Sequence, residues 1–513
     1  MKKTILLFFP SPHPEGSYAN YPWALLYLER MVRHLDVNLV LLDERLDKNY
    51  KDIIEEHKND LLFVGISAIL GYQVVGGKKF SELVKSIAGV PIIWGGWFPT
   101  IFPEMILNDN TAEYICVGQG ELPFQAFTET MLAGEDVSVI PGIGYKKNGE
   151  IIINPNSNLI NTNSFPLIDL TLIDANRLID LNGVVEPGNR MTEYIATTGC
   201  PHNCSFCNLT EVVGSKWFAK PINEIIENLK YFYEKAGVSH VVFIDDNFLA
   251  NKKFIKDFCN EIIQSGISFT WEAHAHVGYF LRHFVDEDIR LLYSAGCRRI
   301  IVGAESGDQE VLDLLNKRTK AEDNLTIIKL LKKHNIRVRM HTMICFPANP
   351  NKDFFLTLNM IGKALIIDPT VQANIKFYKP IPKTALFKIC VDHGFIQPTS
   401  IDELIDSFSR YIMAPWYKRN YHKDLDNYVN FYFLFLNPFY FMKSPWLSRP
   451  FIFLLNMVLT PLIYLRFKFN LMRFPIEAIL LRSMIRKGKM STFLDSVSVN
   501  KTKLFNKARR IEP

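Results

Sequence analysis

Three cysteines, Cys200, Cys204 and Cys207, fall within eight positions of the segment "ATTGCPHNCSFCNLT", residues 196–210. Thiolates are soft ligands that suit iron–sulfide clusters or zinc, and a short loop can aim three of them at one centre. A structural zinc site closes with four ligands, often from paired short spacings. No second pair follows here, since Cys259, Cys297, Cys345 and Cys390 stand alone in helical or strand-like contexts. His202 is a poor fourth ligand, because it lies between two cysteines of a loop too tight to turn every side chain inward. A cluster held by three thiolates leaves one iron open, and an open iron can bind and activate a reactant.

Such a loop has to be carried by a rigid scaffold. From Glu193 onward strand-like runs alternate with helical patterns: "EYIATTGC", "HVVFIDDN", "SFTWEAHA", "RRIIVGAES", "IRVRMHTMICFP" and "VQANIKFYKP". Six such units are too few for a closed eight-fold barrel but enough for an open, curved one, with chemistry at the carboxyl ends of its strands. The cysteines follow the first strand directly. Near the third strand, His274, His276 and Tyr279 are candidates for substrate or cofactor contact, although a satisfied core or rim position is the simpler reading of each.

The first ~140 residues show an earlier alternation, the pattern of an open parallel sheet covered by helices. Ligands of that fold gather at the strand ends, which here read Ser67, then Gly95 and Gly96, then Gly118, Gln119, Gly120 and Glu121. Residues 141–190, rich in Asn, Pro and Asp, read as a linker packed on its neighbours. The expected organisation is therefore α/β throughout: a Rossmann-like parallel sheet over 1–140, the linker, a partial (β/α)6 barrel over 191–390, and a mainly helical apolar region over 391–513.

With 58 basic and 53 acidic residues in 513, the formal charge is only +5 and no long basic block occurs, so composition does not point to nucleic acid. Eight cysteines scattered through so long a chain suit a reducing cytoplasm rather than a secreted disulfide framework. The opening "MKKTILLFFPSPHPEG" imitates a secretory signal but lacks a small-residue cleavage site, and three prolines follow its apolar run at once. A buried first strand is the better reading. Near the C-terminus, "YVNFYFLFLNPFYFM" and "FIFLLNMVLTPLIYL" are short of the roughly 20 apolar residues of a spanning helix. Two readings stay open there: an aromatic-rich helical cap on the barrel, or a helical segment within residues 428–486 that lies on a membrane or shapes a lipid pocket.

At the cysteine loop the chain resembles a known family. C-x-x-x-C-x-x-C after a first barrel strand, with Phe206 before the last cysteine, resembles the signature of radical S-adenosylmethionine enzymes. The resemblance implies a 4Fe-4S cluster on Cys200, Cys204 and Cys207, with S-adenosylmethionine on the open iron. It further implies that Phe206, Asp245, Asp246 and Asn247 of "FIDDNF", and Glu305 and Ser306 of "GAESG", contact that cofactor. "MICFPANP" resembles the fifth-strand motif M-x-G-x-P-G-E-T with Cys345 and Ala348 as departures, and "PIPKTAL" resembles a P-G-T ending with Lys383 in the glycine's place.

The first alternation resembles the cobalamin-binding domain that precedes the barrel in one subgroup of that family. Glycine is physically apt there, because a corrin lying across strand ends needs close approach of bare backbone. The resemblance implies cobalamin contacts at Ser67, Gly95, Gly96, Gly118, Gly120 and Glu121. The D-x-H-x-x-G loop of many such domains reads "SPHPEG" here, with Ser11 in the aspartate's place, which argues against His13 as a cobalt ligand. Together these features imply methyl transfer to an unactivated carbon or phosphorus of a small or lipid-like molecule, with an external electron donor such as flavodoxin or ferredoxin. Radical cyclisation, rearrangement or porphyrin tailoring without methylation is the alternative within the family. A cluster-bearing sensing protein without turnover is the alternative outside it.

Overall fold

The computed structural model describes residues 2–12, 21–156, 159–179, 188–409, 414–417, 421, 424–425, 428, 432–436 and 449–469. His13 lies outside the described residues.

The apolar run Lys3–Phe9 forms β1, and its alternation feeds two cores at once. Leu6 and Phe8 pack with Val74, Phe80 and Trp94, whereas Ile5 and Leu7 pack with Leu25, Phe124 and Phe127. A strand buried on both faces in this way belongs to the interior of a parallel sheet. The sheet continues through β2 (Val37–Asp43), β3 (Leu61–Ser67), β4 (Ile92–Gly95) and β5 (Tyr114–Cys116), in the order β2-β1-β3-β4-β5. Helices α1 (Trp23–Val32), α2 (Tyr50–His57), α3 (Tyr72–Ile87), α4 (Trp97–Ile101), α5 (Pro103–Asn108) and α6 (Glu121–Ala133) connect and cover it. The strand order reverses around β1 and β3, which opens a crevice beyond the carboxyl ends.

This sheet does not stop near residue 140. Two antiparallel strands, β6 (Ile143–Lys147) and β7 (Glu150–Ile153), extend it to seven strands, so the first part of the expected linker is a hairpin. Its two turn residues, Asn148 at φ 52° and Gly149 at φ 86°, both take the left-handed backbone that a tight hairpin turn requires.

The expected six-stranded partial barrel is present. Its strands are β8 (Met191–Tyr194), β11 (His240–Phe243), β12 (Thr270–Ala275), β13 (Cys297–Glu305), β14 (Arg337–Ile344) and β15 (Gln372–Phe377), in the order β15-β14-β13-β12-β11-β8. The run "EYIATTGC" breaks after Tyr194, and its second half becomes β9 (Thr197–Gly199), paired antiparallel with β10 (Trp217–Ala219). The helix Ile222–Ala236 buries Ile225, Ile226, Leu229, Phe232 and Ala236 at helical spacing and ends on Gly237 in the left-handed cap conformation.

Packing divides the chain into two compact units. One comprises 1–273, 380–388 and 396–412, and the other 274–379, 389–395 and 413–513. The first unit therefore holds the first sheet, the cysteine loop and two segments that return from far along the sequence. In the second, Phe467 of the helix Arg449–Lys468 packs over Gly362. Among the described residues no helix is long and apolar enough to cross a membrane.

Candidate functional site

The cysteine loop is held from beneath by the three polar residues that follow β11. Asp245 Oδ1 accepts the Ala196 amide at 3.0 Å and also that of Thr197, and Asp246 Oδ2 accepts the Gly199 amide at 3.1 Å. Asn247 Nδ2 donates to Cys200 Sγ at 3.7 Å, while the Asn247 carbonyl accepts Trp217 Nε1 at 3.1 Å. The Cys207 amide closes the loop onto the Cys204 carbonyl at 3.0 Å. Residues expected to meet S-adenosylmethionine thus spend these oxygens on the strand that presents Cys200. Asn247 Oδ1 is buried with no hydrogen-bond partner among the described residues, so it remains an acceptor in need of a donor.

Burial pushes the Cys207 thiol up to about 11, with Cys204 and Cys200 close enough to add to the shift. The loop by itself therefore favours thiols, and a positively charged iron cluster supplies what three neighbouring thiolates need. Among the described residues no three His, Cys, Asp or Glu side chains converge as ligands of a single ion would. Burial also lifts Asp245 to about 7, against the opposing pull of its bonds from Thr197.

Glu305 and Ser306 belong to the second unit and are engaged within it. Glu305, at φ 56°, forms a buried ion pair with Lys317 at 2.8 Å. Ser306 donates to Asp353 at 2.5 Å and accepts the Asp308 amide at 2.9 Å. His276 caps its own helix through the Tyr279 amide at 3.2 Å and meets the Lys317 carbonyl at 2.8 Å, so it is a satisfied structural residue. His274 lies 5.6 Å from His341, ring centre to ring centre, and burial pushes it down to about 3, so it is neutral at ordinary pH.

The strand ends of the first sheet form a cradle. Ser67 on β3 is in register with Gly95 on β4. Gly96 (φ 97°) and Gly118 (φ 83°) need glycine twice over, because a Cβ would fall 2.7 Å from the Ala68 carbonyl oxygen and 2.6 Å from Asn156 Nδ2 respectively. At Gly95 and Gly120 a Cβ would meet nothing closer than 3.9 Å and 3.8 Å, which leaves open floor where a large flat ligand can approach. Thr100 joins the loops: its hydroxyl donates to the Gly96 carbonyl at 2.7 Å and accepts the Gly118 amide at 2.9 Å. The Glu121 carboxylate is taken by Arg30 at 3.4 Å, and burial holds it above the ordinary carboxylate range. It therefore serves the helix packing.

Sequence reasoning did not single out Trp97, the residue after the Gly95–Gly96 pair. Trp97, Cys200, Cys207 and Phe218 all pack against the buried pair Leu159 and Leu209, so the residue behind the cradle glycines and the cysteine loop line one apolar cluster inside the first unit. The position of Trp97 directly behind two glycines was the available signal.

Residues 194–361 match the Radical SAM superfamily model, and residues 17–128 match the B12 binding domain model. An uncharacterized methyltransferase of Pyrococcus horikoshii is 24% identical over 379 residues, covering 73% of this chain and 79% of its own. An anaerobic magnesium-protoporphyrin IX monomethyl ester cyclase of Synechocystis is 24% identical over 427 residues, covering 80% and 82%. Among solved structures, the radical S-adenosylmethionine methyltransferase TsrM of Kitasatospora setae, with cobalamin and a [4Fe-4S] cluster bound, superposes with a TM-score of 0.62 at 15% identity, covering 76% of this chain and 75% of that one.

Proposed function

The chain belongs to the radical S-adenosylmethionine enzymes that carry a B12-binding domain, and on that premise we propose that it methylates an unactivated carbon or phosphorus of a small or lipid-like molecule. The observation that supports this reading is the apolar cluster on which Trp97, Cys200 and Cys207 all pack, in the same compact unit as the glycine cradle. When bound, the two cofactors supply a carbon-centred oxidant and a transferable methyl group, chemistry beyond ordinary acid and base side chains.

The chain's own residues hold and shape the site. Cys200, Cys204 and Cys207 would hold the cluster, Asp245 and Asp246 fix the backbone that leads to Cys200, and Asn247 bonds the Cys200 sulfur itself. Asn247 Oδ1, buried without a donor among the described residues, would be available to accept a hydrogen bond from a bound S-adenosylmethionine. Gly95 and Gly120 leave the corrin its floor, and Gly96, Gly118 and Thr100 keep the surrounding loops in shape. The relatives are named as a methyltransferase and as an anaerobic magnesium-protoporphyrin IX monomethyl ester cyclase, which supports methyl transfer with cyclisation as its alternative. An external one-electron donor of the flavodoxin or ferredoxin class would supply the reducing equivalents such a cluster needs. The test is anaerobic incubation of reconstituted protein and cell extract with methyl-labelled S-adenosylmethionine. S-adenosylhomocysteine and 5′-deoxyadenosine should both form in proportion to a labelled product, and absence of the former sinks methyl transfer in favour of cyclisation.

One observation favours a greasy substrate or a bilayer surface. On the helix Arg449–Lys468, Ile463 and Phe467 are buried, while Met457, Leu462, Tyr464 and Leu465 are exposed beside Lys468. An apolar face flanked by basic side chains suits peripheral contact with an anionic membrane. Loss of binding to anionic vesicles in Met457→Glu/Leu465→Glu protein supports that contact; protein that never sediments with vesicles removes it.

A further inference from the structure

We infer that the returning segment 380–388 is a strap between the two cofactor sites, and that Lys383 is its positioning residue, setting the cobalamin cradle relative to the cluster loop. The inference rests on the cofactor reading above. Three attachments carry it. Ile381 packs against the core of the first sheet. Two residues on, Lys383 Nζ donates to the Thr100 carbonyl oxygen at 2.8 Å, and Thr100 is the residue whose hydroxyl joins the Gly96 and Gly118 loops. Three residues further, the Leu386 amide donates at 2.8 Å to the carbonyl of Ser205, which lies between Cys204 and Cys207.

The stretch between these anchors is short and internally braced. Thr384 donates its hydroxyl to the Ile381 carbonyl at 2.8 Å, and the Phe387 amide returns to the Thr384 carbonyl at 3.0 Å. Lys383 sits at φ 65°, where glycine is at ease and a side chain is strained. A lysine in that conformation persists where its neighbours over-determine the backbone, and strain of this kind gathers at functional positions. Glycine would satisfy the turn but forfeit the ammonium that reaches Thr100. The residue therefore exchanges local comfort for a charge-assisted tie into the cradle.

The test compares Lys383→Gly with Lys383→Arg in the full chain. Glycine suits this backbone, so Lys383→Gly is expected to fold, and the arginine variant restores a cationic donor. Hydrogen–deuterium exchange on protein without cofactors should quicken over residues 96–101 in Lys383→Gly and return towards wild type in Lys383→Arg. The dissociation constant for hydroxocobalamin, followed by absorbance, should rise about tenfold in the glycine variant, as loss of a charge-assisted hydrogen bond implies. Cluster iron and 5′-deoxyadenosine formation should stay near wild type while methylated product per 5′-deoxyadenosine falls. Unchanged exchange and unchanged cobalamin affinity in Lys383→Gly overturn the strap alone; wild-type protein that binds no hydroxocobalamin overturns both this inference and the cofactor reading.

Discussion

Asp246 accepts the Gly199 amide at 3.1 Å, one residue ahead of Cys200. Asp246 is exposed as a residue, yet the protein packed around its carboxylate raises its pKa by desolvation while the Gly199 bond opposes the rise. Removing the acceptor leaves a buried amide unpaired and loosens the strand that aims the first cysteine, at a cost of about 1–3 kcal/mol. Asp246→Ala should retain well under half of the roughly four irons per chain expected of a [4Fe-4S] site. Asp246→Asn, which keeps an acceptor oxygen, should retain most of them. Iron and sulfide analysis after anaerobic reconstitution checks the pair, and equal losses in both variants would mean that the charge acts on the cluster directly.

The empty corner of the cysteine triad makes a second, sharper demand. Cys204→Ala should reduce reductive cleavage of S-adenosylmethionine to background, because three ligands are the minimum the loop can offer. Cobalamin should stay bound, since the cradle draws its floor from β3, β4 and β5. Chromatography for 5′-deoxyadenosine, with absorbance for the corrin, separates the two outcomes. Surviving cleavage contradicts the reading of the loop.

Two adjacent glycines of the cradle should respond differently to alanine. At Gly96 the added Cβ strikes the Ala68 backbone at 2.7 Å from a backbone with φ 97°, so neither neighbour nor chain can yield cheaply. Gly96→Ala should destabilise the protein by more than about 2 kcal/mol. At Gly95 the nearest atom is 3.9 Å away, so Gly95→Ala should fold with wild-type stability yet bind hydroxocobalamin more weakly, by filling floor that the corrin needs. Urea unfolding and a cobalamin titration on each variant decide it, and undiminished binding by Gly95→Ala removes Gly95 from the contact surface.

Which of these features the sequence could disclose depends on the range of the interaction. All six barrel strands were legible, because their apolar runs and the helices between them are local patterns. The hairpin over 143–153 was equally local, signalled by Asn148–Gly149 between apolar stretches, and was obscured by the polar residues after it. Asp245 and Asp246 were placed correctly at a strand end, but a carboxylate there reads the same whether it faces a ligand or a neighbouring loop. Cys345 and Lys383 read as departures from glycine motifs, yet both keep the glycine-like backbone, at φ 66° and 65°. Nothing local foretells that 380–388 returns to the first unit, because Ile381, Thr100 and Ser205 are brought together only by the fold.

Desolvated carboxyls in the first unit predict how stability depends on pH. Burial in β8 pushes Glu193 from 4.5 to about 7, with Glu272 raising it further and Arg45 pulling it down. A carboxyl whose pKa is higher in the folded chain binds more protons folded than unfolded between those two values. Its contribution therefore favours folding at low pH and is lost as pH rises from about 4.5 through 7. The shift amounts to a few kcal/mol at most, at about 1.4 kcal/mol per pKa unit. Asp245, lifted to about 7 by its own burial, acts in the same direction. Glu193→Gln should flatten the decline in thermal stability between pH 5 and 7 in protein without cofactors and leave the slope above pH 8 unchanged. Calorimetric melting across that range checks it, and an unaltered slope in Glu193→Gln would assign the pH dependence to other groups.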